Sequence, residues 1–200
     1  MITAKMLADG KVVGWFQGRL EFGPRALGAR SLLADPRSNK MKDIINAKVK
    51  FREAFRPFAP AILRERVHEY FEVEEGMDAP YMLLVPKVRE EKRSVIPAVT
   101  HEDGTGRVQT VTDEHNGRYY RLIRKFGELT GVPVLINTSF NVRGEPIVCT
   151  PADAYNTFVK TGIDVLVIGD HVVTKKPSEV DYEAGMRRSV ALETSSLRGS

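Results

Sequence analysis

Apolar residues in this chain come in short runs, cut off again and again by glycine and proline, and that punctuation excludes a bundle of long helices. The runs Val12-Val13-Gly14-Trp15-Phe16, Ser31 to Ala34, Ala61-Ile62-Leu63, Tyr81-Met82-Leu83-Leu84-Val85 and Pro133-Val134-Leu135-Ile136 have the length and the β-branched or aromatic content of strands. Ser94 to Thr100 and Arg107 to Val111 read as further strands. Asp164 to Ile168 and His171 to Thr174 read as a hairpin around Gly169-Asp170. Helical spacing lies between them. Thr3 to Leu7 is a short helix ending near Gly10. Residues 38 to 48 place Met41, Ile44, Ile45 and Lys48 near one face, with Ser38 as N-cap and an end before Lys50. Glu65 to Phe71 is another short helix. In residues 117 to 130, Tyr120, Ile123, Phe126 and Leu129 recur at steps of three, and Gly131 closes the helix. Pro151 to Thr161 starts on proline and ends at Gly162. Strands and helices interleave without strict alternation, which predicts an α/β fold built on a twisted open mixed β-sheet with flanking helices.

Two hundred residues suit one such domain. After Lys175 the chain turns polar, so residues 1 to 176 are expected to form the domain and 177 to 200 a disordered tail. The single cysteine, Cys149, excludes an internal disulfide framework and a Cys-based zinc site, and it reads as buried. No apolar run approaches the roughly 18 residues of a membrane span, and the start MITAKMLADG has no long apolar leader, so the expectation is a cytoplasmic protein. The net charge of +4 conceals an asymmetry: residues 1 to 66 hold 14 Lys and Arg against 6 Asp and Glu. A basic segment of that kind fits a polyanion, either nucleic acid or a phosphorylated small molecule, or else is simply a solvated surface.

Four stretches have the residue types for chemistry. In Gly18 to Gly28, three glycines, Pro24, Arg19 and Arg25 make a shaped loop that enters a helical turn at Pro24. Gly23 and Gly28 have the outer spacing of a P-loop, but Ala29-Arg30 stands where Lys-Ser/Thr is required, so that reading fails. The loop either approaches an anion through its backbone or is a turn whose arginines pair with Glu21 and Asp35. In Lys48 to Pro60, Lys48, Lys50, Arg52 and Arg56 alternate with phenylalanines. Taken as extended chain, Lys50, Arg52 and Arg56 share one face and offer a point charge and two bidentate forks to phosphate or carboxylate; the alternative is a charged face over a structural Phe cluster. Asn137-Thr138-Ser139-Phe140-Asn141 ends a buried strand with small polar side chains, which either tie the loop together or bind a ligand, with Ser139 and Asn141 the favoured contacts. His101-Glu102-Asp103-Gly104-Thr105-Gly106-Arg107-Val108-Gln109 invites a metal reading, but no second ligand cluster accompanies it. A turn that leads Arg107 into a strand accounts for it better, and no metal ligand is assigned.

Together these stretches resemble the C-terminal domain of the O-carbamoyltransferase family, enzymes that carbamoylate antibiotics and nodulation factors. The likeness rests on residues 18 to 31, Phe55-Arg56-Pro57-Phe58-Ala59-Pro60, residues 101 to 109 and residues 137 to 148, in that order, and runs from about residue 4 to residue 175. It implies a YrdC-like fold in which a Lys-x-Arg and a Ser-x-Asn pair, here Lys50 with Arg52 and Ser139 with Asn141, bind nucleotide. It further implies ATP and carbamoyl phosphate as ligands, with Mg²⁺ accompanying the ATP. Carbamate released from carbamoyl phosphate would attack the α-phosphate to give carbamoyl adenylate and pyrophosphate.

On that resemblance Lys50, Arg52 and Arg56 go to phosphate oxygens, Arg25 and Arg107 are further cationic donors, and Ser139, Asn141 and, more weakly, Arg143 complete the binding set. Lys50, Arg56 and Arg107 are the catalytic candidates. Such transfers proceed by positioning and by cations at developing negative charge, which suits these residue types. The family's enzymes carry a preceding actin- and sugar-kinase-like domain that performs the final transfer. Only 17 residues precede Gly18 here, so the expectation is a partial enzyme that makes the adenylate or binds its ligands. A nucleic-acid-binding module is the alternative, disfavoured because the phenylalanines sit in contexts that predict burial. A purely supporting domain is the third reading.

Overall fold

The computed structural model describes residues 2–51 and 57–175. Arg52 and Arg56, both assigned to phosphate above, lie outside the described residues, as does the expected tail. Helices α1 (Ile2–Ala8), α2 (Lys40–Ile45), α3 (Val67–Tyr70), α4 (Glu90–Arg93), α5 (Asp113–Thr130) and α6 (Pro151–Lys160) surround a sheet of β1 (Val13–Phe16), β2 (Arg30–Ala34), β3 (Ala59–Leu63), β4 (Gln109–Val111), β5 (Val134–Ser139), β6 (Val165–Ile168) and β7 (His171–Thr174). Among the described residues the seven strands run in the order β4-β3-β5-β2-β1-β6-β7. β5 is antiparallel to both neighbours, β2 and β3, while β3 pairs with β4 and β1 with β6 in parallel. The sheet is therefore open and mixed, as the irregular interleaving predicts. No helix among the described residues is long and apolar enough to cross a membrane.

Alternation along the strands divides the core. Val13, Trp15, Leu33, Leu63, Val111, Leu135, Val165 and Val167 face α1 and α5, where Leu7, Leu122, Ile123 and Phe126 pack on them. On the other face Met41, Ile45, Phe58, Ile62, Tyr70, Phe71 and Ile136 form a second cluster, and Phe16, Leu32, Phe140, Phe158 and Leu166 form a third under α6. α5 is broken by a kink at Gly117, whose φ of 35° and ψ of −97° are not helical, so the helix expected from residue 117 is its second part; Thr112 caps the first part by accepting from the His115 N–H, and Gly131 ends the second with φ 76°. α6 carries a full capping box, in which the Thr150 and Asp153 side chains each accept the other's backbone N–H.

Several expectations need correcting. Tyr81 to Val85 is not a strand: it makes a single bridge, Leu84 to Val108, and Leu83 and Val85 stay exposed. Ser94 to Thr100 is not a strand either; Pro97 has no N–H to give a ladder and instead starts a 3₁₀ turn, Pro97–Val99. The strand expected at Arg107 starts at Gln109. No helical turn forms at Pro24, where the loop is a series of bends. Ser38 is not the N-cap of α2; Asn39 occupies that place without a side-chain bond. The helix does not end before Lys50 but continues as a π-helical turn, Asn46–Lys50, closed by the Phe51 N–H to the Asn46 carbonyl at 2.7 Å. Lys50 therefore does not begin an extended stretch. Cys149 is exposed rather than buried, because it precedes the N-cap of α6 on the surface.

Candidate functional site

The antiparallel seat of β5 decides which chain segments meet. Its C-terminal Ser139 lies opposite Ser31 at the start of β2, and its Asn137 lies opposite Ala59 at the start of β3, whose parallel neighbour β4 begins at the same end. Three loops and the π-helical turn thus converge on one edge of the sheet. There a cleft of about 100 Å³ is lined by Pro24, Arg25, Phe58, Met82, Arg107, Asn137 and Ser139, among others.

Lys50, 5% exposed, projects from the π-helical turn to the end of β5. Its ammonium donates to the Ser139 carbonyl, to Ser139 Oγ at 3.2 Å, to the Asn141 carbonyl at 3.1 Å and to Asn141 Oδ1 at 2.8 Å. Ser139 Oγ donates to Asn141 Oδ1 at 2.7 Å, so the three side chains form one bonded group. The turn that carries Lys50 is itself fastened. Lys48 Nζ meets both carboxylate oxygens of Asp164 at 2.8 and 2.9 Å, and Gly162 lies so close that a Cβ there would fall 2.8 Å from Lys48 Cβ. Among the described residues the non-glycine residues with left-handed backbone are Phe51, next to Lys50, and Met82, in the cleft wall. Strained conformations of this kind gather at binding sites.

Arg25 and Arg107 face the cleft as a pair of like charges. Burial pushes the Arg107 pKa below its ordinary value, and the Arg25 charge adds to the effect. Arg107 Nε is buried without a hydrogen-bond partner, and among the described residues no carboxylate pairs with either arginine. The acids expected to neutralise this loop are used elsewhere. Glu21 accepts the backbone N–H groups of Leu27, at 3.0 Å, and Ala29, and Asp35 pairs with Arg37. Two guanidinium groups without a carboxylate partner among the described residues fit an anionic ligand. Arg143 is exposed and donates to the Phe51 carbonyl at 3.4 Å, which places it beside the Lys50 turn.

Three residues not singled out above hold this arrangement. Arg30, buried at the start of β2, stacks 3.5 Å from the Phe16 ring centroid and donates to the carbonyls of Gln17, Gly18, Ala29 and Cys149. Gln109 Nε2 donates to the Leu27 carbonyl at 2.7 Å, and Asn137 Nδ2 donates to Gln109 Oε1 at 2.7 Å and to the Ala26 carbonyl at 3.1 Å. The intervening strand β3 presents only Ala59 and Ala61 opposite these two, so the amides reach each other across it. All three lie inside the matched stretches, but only the sheet order reveals what they touch.

A family model described as Carbamoyltransferase C-terminus matches residues 4–175. The chain belongs to that family. The carbamoyltransferase C-terminal domain is 53% identical over 175 residues to nodulation protein NolNO of Sinorhizobium fredii, covering 87% of this chain and 26% of the relative. It is 44% identical over 164 residues to the 3'-hydroxymethylcephem-O-carbamoyltransferase of Amycolatopsis lactamdurans, covering 82% of this chain and 31% of that enzyme. The chain thus spans about a third or less of these relatives. Among solved structures, P. abyssi Sua5 complexed with L-threonine superposes with TM-score 0.57 at 20% identity over 84% of this chain and 46% of Sua5. Full-length HypF in its phosphate- and nucleotide-bound form superposes with TM-score 0.54 at 19% identity over 88% of this chain and 21% of HypF. At those identities the likeness is one of fold, and the fold is YrdC-like.

Proposed function

We propose that the cleft binds ATP and carbamoyl phosphate and forms carbamoyl adenylate for O-carbamoyl transfer. The observation that carries this reading is the Arg25–Arg107 pair, without a carboxylate partner among the described residues, in a small cleft whose wall includes Ser139, the residue bonded to Lys50 and Asn141. In the proposed reaction, water cleaves carbamoyl phosphate to carbamate and inorganic phosphate; a carbamate oxygen then attacks the α-phosphorus of ATP, the bond from that phosphorus to the α–β bridging oxygen breaks, and pyrophosphate leaves. Arg25 and Arg107 offset the charge on the phosphoryl oxygens, and among the described residues no carboxylate competes for them. A phosphate that reaches Lys50 replaces one of the oxygens described around its ammonium with a charged acceptor, a stronger bond. Ser139 or Asn141 is then released to bond ribose or phosphate. Mg²⁺ would travel with the triphosphate, whose oxygens supply hard ligands for it. Passage of the carbamoyl group to an acceptor hydroxyl is assigned to a separate domain, in keeping with the fraction of the relatives' length matched here.

Isothermal titration of the folded chain with a non-hydrolysable ATP analogue plus Mg²⁺, and separately with carbamoyl phosphate, tests the reading. Saturable heat with both supports it, and none with either overturns it. A second reading, a nucleic-acid-binding module, is favoured by one observation: Phe22 is wholly exposed on the loop between Arg19 and Arg25, contrary to the burial expected of the phenylalanines. RNA affinity that falls steeply with salt and survives Lys50→Ala would support it.

A further inference from the structure

The amide chain beneath the cleft has a free end. Asn137 is 1% exposed and lines the cleft, and its Oδ1 is a buried acceptor with no hydrogen-bond partner among the described residues. The orientation of that amide follows from its neighbours. The Leu27 and Ala26 carbonyls can only accept, so Gln109 must turn its NH₂ to Leu27, and its Oε1 then accepts from Asn137. Asn137 spends its two N–H bonds on Gln109 Oε1 and the Ala26 carbonyl. Flipping either amide would set oxygen against oxygen. Asn137 Oδ1 is thus fixed as a buried acceptor on a residue of the cleft wall, and the same wall carries the guanidinium groups of Arg25 and Arg107.

A buried acceptor left without a donor is costly, and native structures rarely keep one without a use. The ligand that satisfies this cleft carries both an anionic group for the arginines and an N–H donor for Asn137. We infer that Asn137 Oδ1 accepts a hydrogen bond from the amide nitrogen of carbamoyl phosphate and thereby selects a carbamoyl group over an acyl group of the same size. The inference rests on the cleft's being a carbamoyl phosphate site. Acetyl phosphate has the same phosphate and the same carbonyl, with a methyl group in place of the NH₂; bound here, it would leave Oδ1 unpaired and press a methyl against it.

The test is competition titration of the full chain with carbamoyl phosphate, acetyl phosphate and inorganic phosphate. Carbamoyl phosphate is expected to bind roughly 10- to 100-fold more tightly than acetyl phosphate, the range of one hydrogen bond to an otherwise unpaired buried group. Asn137→Ser is expected to bring that ratio close to one, with carbamoyl phosphate losing clearly more affinity than acetyl phosphate or inorganic phosphate. Should the variant be unfolded at the assay temperature, the wild-type ratio decides alone. Equal binding of carbamoyl and acetyl phosphate by the wild-type chain overturns the inference while leaving the carbamoyl phosphate site standing. Equal weakening of all three anions by Asn137→Ser overturns it too, as the mark of a merely structural residue. Failure of the folded chain to bind any of the three overturns both.

Discussion

Lys50 Nζ and Asn141 Oδ1 lie 2.8 Å apart although 91 residues separate them in the sequence. One comes from a π-helical turn and the other from the loop after the central strand, so the contact reports on the whole sheet edge. Replacing Lys50 with methionine keeps the aliphatic stem but leaves the oxygens of Ser139 and Asn141 without their shared donor. The expected cost is about 1–3 kcal/mol in stability, together with a tenfold or greater loss of affinity for the ATP analogue. Denaturant unfolding and calorimetric titration read the two effects separately. Unchanged nucleotide affinity in a folded Lys50→Met protein would show that this lysine only braces the loop.

Arg25 and Arg107 repel each other until an anion arrives. Inorganic pyrophosphate at a hundred times its dissociation constant is expected to stabilise the wild-type chain by about 2.7 kcal/mol. In Arg25→Ala that stabilisation should shrink, while stability without anion should stay level or rise, because removing a like charge relieves Arg107. A thermal scan with and without pyrophosphate checks both signs. A variant less stable than wild type in the absence of anion would contradict the account.

Gly28 is the point where the arginine loop touches α5. Its φ is 114°, and a Cβ placed there would fall 2.3 Å from Tyr119 Cδ1. Gly28→Ala is therefore expected to push the loop off the helix and break the bond from Trp15 Nε1 to the Gly28 carbonyl, now 2.9 Å. Trp15 is the single tryptophan, so its emission should shift to the red as it meets water. Emission identical to wild type would mean that Tyr119 moves aside instead.

Lys48 and Asp164 anchor the turn that aims Lys50, and both side chains are largely but not wholly buried. Asp164→Asn is expected to cost about 1–3 kcal/mol, a buried-pair loss reduced by solvent screening. It should also lower nucleotide affinity without altering any group in the cleft. Stability lost with affinity intact would confine the pair to a packing role.

His101 gives the pH prediction. Burial holds its imidazole below the ordinary histidine range; Lys42 and Arg107 push the same way and Asp103 opposes them. The folded state then prefers the neutral ring, and the unfolded state binds more protons below about pH 6.5. The stabilisation from the neutral ring is complete above that pH and is lost as the pH falls through and below it. His101→Gln should flatten the slope of stability against pH in that window. A slope unchanged by the substitution would assign the dependence to other groups.

Much of this was legible in the sequence where a local rule applies. The steps of three from Tyr120 to Leu129 and the closing Gly131 locate α5, and Pro151 locates α6. Tyr81 to Val85 misleads because strand-like residues still need a ladder partner, and the chain opposite offers only Val108. The π-helical turn leaves no mark in the apolar spacing, since its added residue is accommodated by docking against Gly162. Lys50, Ser139 and Asn141 can be named from their motifs, and Arg25 and Arg107 from their charge. The role of Asn137 cannot, because it depends on two alanines in a strand nearly 80 residues earlier.

Arg30 occupies the place that a bound cation fills in many liganded loops. Carbonyl oxygens from four residues turn inward on its guanidinium, much as they would on calcium. Unlike an ion, this charge is tethered: chelators do not strip it, competing metals do not replace it, and no accessible pH neutralises it. The arginine loop consequently keeps its shape across ionic conditions in which a metal-bound loop would come and go with supply.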